Sequence, residues 1–196
     1  MQACLLTSSL LAIVASAAAS PAFLSTFKRQ VGGPGVGPVC KLTTEPSQQD
    51  VVNALNQWLT DVVNVNTFLN SAHDNLSNAT LLEGLALGAL NNAMDEPTQL
   101  GVLACIPGLA DDAENAITSA NAGFGDNVLT PLNDITTNGS DTTQVMTDVS
   151  TINQFRCCTL LPDLDILWLS AAEDEGLVGQ VTVSPPRPNA CSSLAC

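Results

Sequence analysis

Six cysteines follow an apolar leader in this chain, and two of them are adjacent. The leader runs from Leu5 to Val14 and is followed by small residues, Ala15 to Ala19, that offer A-x-A cleavage sites. Its apolar stretch is too short for a bilayer span, which needs about 20 residues. Residues 1–19 therefore read as a secretory signal, removed together with Cys4. The remaining cysteines are Cys40, Cys105, Cys157, Cys158, Cys191 and Cys196. An even number behind a signal implies disulfides in an oxidising compartment. Zinc is the competing use, but the chain has no C-x-x-C and a single histidine, His73. Metal and cofactor are therefore expected to be none.

Adjacent cysteines are too close for an unstrained mutual bond. Cys157 and Cys158 should thus reach different partners, and some bridges should fasten the chain ends to the folded body. Six cysteines allow 15 pairings, and spacing does not choose among those that remain. The expectation adopted is that Cys105 joins Cys157 or Cys158. Each bridge should contribute about 2–4 kcal/mol.

Lys28-Arg29 is the only dibasic pair. It precedes a flexible, Gly/Pro-rich stretch, the setting in which proteases cut. Residues 20–29 read as a propeptide ending there, and 30–46 as a linker. After both cuts, Lys41, Arg156 and Arg187 face all 19 acids. Such a surface repels phosphate, so nucleic acid and anionic membrane are unsuitable partners.

Hydrophobic periodicity over 47–175 predicts an all-α bundle of five or six helices. Ser47-Gln48-Gln49-Asp50 reads as a capping box. Val51, Leu55, Trp58, Leu59, Val62, Asn66 and Leu69 then share a face, with Asn66 the one polar interruption. Thr80 to Met94 reads as a second helix in which Gly84 and Gly88 permit close helix approach. Asp95-Glu96-Pro97 reads as the start of a third, stopped by Pro107-Gly108. Leu109 to Ala122 forms a fourth, closed by Gly123 and Gly125. A short piece with Pro131 near its start covers 126–135. Asp141 caps a helix in which Val145, Val149 and Ile152 face inward, and Pro162 opens the last helix, with Leu164, Leu167, Trp168 and Ala171 on one face. Val181-Thr182-Val183 reads as extended, within a Pro-rich tail, 176–196, tied by disulfides.

Three glycosylation sequons begin at Asn75, Asn78 and Asn138, all in expected loops. Catalytic sets are hard to assemble. A nucleophile–histidine site would need His73. Carboxylate pairs could be drawn from Asp111, Asp112 and Glu114, from Asp163 and Asp165, or from Glu173 to Glu175, but these read better as solvated faces and helix starts. Trp58 and Trp168 lie on apolar stripes and read as core.

The leader, the Lys28-Arg29 site and the Ala/Thr/Asn-rich acidic helices resemble small secreted proteins of filamentous fungi. Within that group, Ser47 to Ala172 resembles the hydrophobic-surface-binding and cell-wall galactomannoprotein family; cysteine-stapled secreted effectors are a second resemblance. Membership implies an extracellular helical protein that binds apolar surfaces or lipids. The expectation is a non-catalytic secreted binding protein acting at the cell wall or on a host component, its partner an unknown protein, wall polymer or lipid. A carrier of a hydrophobic ligand is the alternative, and an unrecognised hydrolase the third reading.

Overall fold

The computed structural model describes Cys40 and residues 42–196. The leader and the Lys28-Arg29 site lie outside the described residues. Four continuous helices and no strand make up the described part. The first, α1, is Gln48–Ser71. Its capping box forms as the sequence predicts: Asp50 N–H donates to the Ser47 hydroxyl, and Ser47 N–H donates to the Asp50 carboxylate. A single 3₁₀ turn, His73–Asn75, leads into α2, Ala79–Leu103, whose first turn is capped by the Asn78 side chain. The third, α3, spans 111–138 and α4 spans 142–174, with the Asp141 side chain accepting from Gln144 N–H at its start.

The count is four, not five or six, because three prolines do not break the helices they occupy. Pro97 lies inside α2. It removes one hydrogen bond and crowds a carbonyl, yet Ala93, Glu96, Leu100 and Leu103 on either side are buried, so packing holds the two halves in line. Pro131 and Pro162 each follow a π-turn, Gly125–Leu129 in α3 and Arg156–Leu160 in α4. A proline ring collides with the carbonyl four residues earlier. Those carbonyls belong to Asn127 and Cys158, both inside the widened turns. Thr130 N–H reaches back to Gly125 O and Leu161 N–H to Arg156 O, the i→i−5 pattern that relieves the clash.

Gly123 and Gly125, expected to end a helix, do not. The chain runs on, with Gly125 at φ −58° and ψ −52°. Gly123 serves close approach: a Cβ there would lie 2.5 Å from Phe155 Cε2, where α3 and α4 meet at their π-turns. Gly84 and Gly88 do the reverse of the expectation, facing open space on the outside of α2. Two glycines with positive φ do end helical segments. Gly108 (φ +83°) turns the chain after α2, and Gly176 (φ +67°) closes α4 in a Schellman arrangement. There Leu177 N–H donates to Ala172 O and Gly176 N–H to Glu173 O, and Leu177 is buried. This geometry answers the otherwise unfavourable Glu173-Asp174-Glu175 ending.

The helices alternate in direction. α1 packs along α2, α2 along the second half of α3, and α4 along both halves of α3. The core is continuous and centred on Trp58, Trp168, Leu82, Leu132, Ile152 and Leu164. Cys40 pairs with Cys105, Cys157 with Cys191, and Cys158 with Cys196. The neighbouring cysteines do reach different partners, and every bridge fastens an end segment. The expected partner for Cys105 is wrong: this cysteine closes the end of the bundle where α1 begins and α2 finishes. The tail is held by more than sulfur. Asn66 donates to Pro186 O, Asn189 N–H donates to Asn70 Oδ1, and Arg187 and Ser184 both bind Asp165. Val181 makes one isolated bridge with Val178 in place of a strand.

Two glycine substitutions should shift chemical denaturation in opposite directions. Gly176→Ala places a Cβ on left-handed backbone and should destabilise by about 1 kcal/mol. Gly84→Ala, in open space on a helix, should stabilise by about 0.5–1 kcal/mol.

Candidate functional site

The most unusual chemistry lies inside the bundle. Glu96 of α2 is 1% exposed and Arg156 of α4 is fully buried. Arg156 Nη1 donates to Glu96 Oε1 at 2.9 Å, and Trp58 Nε1 of α1 donates to Glu96 Oε2 at 3.0 Å. Trp58 also packs against Trp168, with ring centroids 5.8 Å apart at 59°. One carboxylate thus joins three helices. Arg156 Nε and Nη2 and Trp168 Nε1 find no acceptor among the described residues.

Asp61, one turn beyond Trp58, is also buried. Gln57 donates to its Oδ1 at 3.0 Å, while Oδ2 has no partner among the described residues. Burial, reinforced by the charges of Asp95 and Glu96, pushes its pKa up to about 7. Burial also raises Asp148, against a bond from Gln144, and Asp163, against a bond from Ser119. The first turn of α1 behaves oppositely: hydrogen bonds from Ser47 lower Asp50.

The residues considered for catalysis are spread over several elements, and Asp163, Asp165 and Glu175 among them are half-buried. His73 is exposed on the 3₁₀ turn, 3.7 Å from Asp74. Asp111, Asp112 and Glu114 occupy the first turn of α3, where acids favour the helix dipole. Asp165 is engaged by Arg187 and Ser184, and Glu173 and Asp174 end α4 in solvent. No group of three or more His, Cys, Asp or Glu side chains among the described residues is placed to hold a metal ion. Asn78 and Asn138 are exposed and Asn75 is half-buried.

Among the described residues, two grooves open directly to solvent. One, of about 670 Å³, is lined by Pro46, Asn53, Asn56, Gln57, Thr60 and Gln99. The other, of about 680 Å³, lies between Leu76 and the Thr142, Thr143, Met146, Thr147 and Thr151 face of α4. The outer face of α2 is apolar instead. Leu81, Gly84, Leu85 and Gly88 succeed one another at short helical spacings, with Leu87 beside them; the leucines are 46%, 38% and 40% exposed. Because the glycines carry no side chain, the leucines stand out as a ridge. No helix among the described residues is long and apolar enough to cross a membrane.

Sequence reasoning missed Asp61, Glu96 and Arg156. Their signal was spacing: Glu96 continues the series Leu82, Ala86, Ala89, Ala93, Leu100, Leu103, and Arg156 comes next after Val145, Val149, Ile152. Comparison with protein-family models, curated proteins and solved structures returns no match for this chain.

Two measurements probe the interior. Arg156→Met alone leaves Glu96 as an unpaired buried charge and should cost about 3–5 kcal/mol, while adding Glu96→Leu should recover much of the loss. The second is the pH dependence of unfolding. The folded Asp61 carboxyl holds its proton up to about pH 7, but an unfolded one releases it near pH 4. The folded state therefore binds the extra proton between these values. Stability should fall as pH rises from about 4 to about 7 and level off above. Asp61→Asn should reduce that slope, leaving the parts due to Asp148 and Asp163, and be more stable than the parent at pH 8.

Proposed function

We propose that this chain is a non-catalytic secreted binding protein that works at the cell wall or on a host component through the outer face of α2. The observation that carries the reading is the leucine ridge. It is an apolar surface on a strongly acidic protein, and exposed apolar groups set close together mark interaction sites. Charge supports the same conclusion. Arg156 is buried with Glu96, and Arg187 is engaged by Asp165. An anionic partner would meet a field of carboxylates, whereas a neutral apolar one would meet leucines. Three disulfides and tails fastened to the bundle suit life in an oxidising medium. The resemblance of Ser47 to Ala172 to hydrophobic-surface-binding wall proteins points the same way.

The test is adsorption of purified protein to alkyl-coated beads and to insoluble wall material, with and without sulfate. Sulfate should strengthen retention, as it does for apolar contacts. Leu81→Asn combined with Leu85→Asn should weaken retention about thirtyfold, since each leucine buried on contact supplies about 1 kcal/mol and about 1.4 kcal/mol is a factor of ten. Unchanged retention in that variant would reject the ridge. Hydrolysis of a glycan or ester, abolished by one carboxylate substitution, would reject the non-catalytic reading.

A further inference from the structure

The three sequon asparagines, far apart in sequence, gather at one end of the bundle. Asn75 and Asn78 lie in the α1–α2 connection, and Asn138 is the last residue of α3. The α3–α4 connection rests on the first turns of α2. Gly139 N–H donates to Glu83 Oε1 at 3.1 Å, and a Cβ on Gly139 would lie 3.1 Å from Ala79 O. Asn138 therefore sits beside the turn that Asn78 caps.

The three side chains are not equivalent. Asn78 is exposed, and its cap uses the oxygen, Oδ1, which accepts from Leu81 N–H at 3.1 Å. Asn138 is exposed, with Nδ2 donating at 3.2 Å to the exposed hydroxyl of its neighbour Thr137. Asn75 is half-buried, and its Nδ2, the atom that would carry a sugar, donates inward to Ser71 O at 2.7 Å. A bulky sugar there would press into the 3₁₀ turn, and it would crowd one on Asn78 three residues away.

We propose that Asn78 and Asn138 each carry an N-linked glycan and Asn75 carries none, so that two glycans crown this end of the bundle. In each transfer Nδ2 bonds to the anomeric carbon of a lipid-pyrophosphate-linked oligosaccharide. The bond from that carbon to the pyrophosphate oxygen breaks, the lipid pyrophosphate leaves, and the amide proton passes to base. The crown flanks the groove between Leu76 and Thr142. It leaves the opposite end, closed by Cys40–Cys105, and most of the α2 ridge uncovered.

This inference rests on entry into the secretory pathway, and the experiment separates the two. The full chain is translated in the presence of endoplasmic-reticulum vesicles. Import is read by protease protection and disulfide formation, and glycan number by intact mass before and after enzymatic deglycosylation. Sequons are removed without touching asparagine, by Ser77→Ala, Thr80→Ala and Ser140→Ala. Two glycans are expected on the parent chain, one on the Thr80→Ala and Ser140→Ala variants, none when these are combined, and two on Ser77→Ala. Loss of a glycan in Ser77→Ala, or an imported and disulfide-bonded chain bearing none, overturns the proposal while secretion stands. A chain left outside the vesicles, unglycosylated, overturns both.

Discussion

The contact on which this architecture turns is the one between Arg156 and Glu96. Three apolar seams run through the bundle at alternating steps of three and four. In α1 the seam is Val51, Leu55, Trp58, Val62, Val65 and Leu69; in α2 it is Leu82 to Leu103; in the first half of α4 it is Val145, Val149 and Ile152. Trp58, Glu96 and Arg156 occupy equivalent places on these seams and meet at 2.9 and 3.0 Å. A one-residue slip of any of the three helices would leave a charge or an indole N–H buried without its partner. An apolar side chain at the same place would tolerate such a slip far better, because its contacts are not directional.

Arg156 also begins the π-turn of α4. The extra residue in that turn rotates the remainder of the helix, so the inward positions step from Ile152 to Arg156 to Leu160 and Leu164. The same turn leaves Cys157 and Cys158 side by side, reaching Cys191 and Cys196 in the tail. The matching π-turn in α3 moves its seam from Phe124 to Val128. Just before the two turns, Gly123 of α3 leaves room for the Phe155 ring of α4. Core register, helix continuity and tail attachment thus share one short segment.

This explains which parts of the fold are legible in the sequence. The Ser47 and Asp141 caps, the seam of α1, the break at Gly108 and the separate partners of the paired cysteines arise from local rules, and they appear as those rules predict. Pro97, Pro131 and Pro162 read as helix starts because the local rule for proline is strong. The structure overrides it with packing in one case and π-turns in two, neither of which leaves a composition signal. Glu96 reads as an acid at a helix N-terminus, and that reading fails with the boundary it rests on. Asp61 and Arg156 are hidden by the habit of reading charge as surface. The partner of Cys105 depends on how two helix ends meet in space, which spacing along the chain does not reveal. The α2 ridge is visible as a leucine- and glycine-rich stretch, but its outward orientation is not. Among the described residues, burial makes Asp61, Asp148 and Asp163 favour their protonated form, both arginines are engaged by carboxylates, and the described ends are clamped by sulfur.

The most direct test is peptide mapping of the unreduced protein by mass spectrometry. Three linked pairs are expected, Cys40 with Cys105, Cys157 with Cys191 and Cys158 with Cys196, with no free thiol among them. A bridge from Cys105 to Cys157 or Cys158 would contradict the way the helix ends meet, and thiols free or bound to a metal would contradict the oxidising compartment that the cysteines imply.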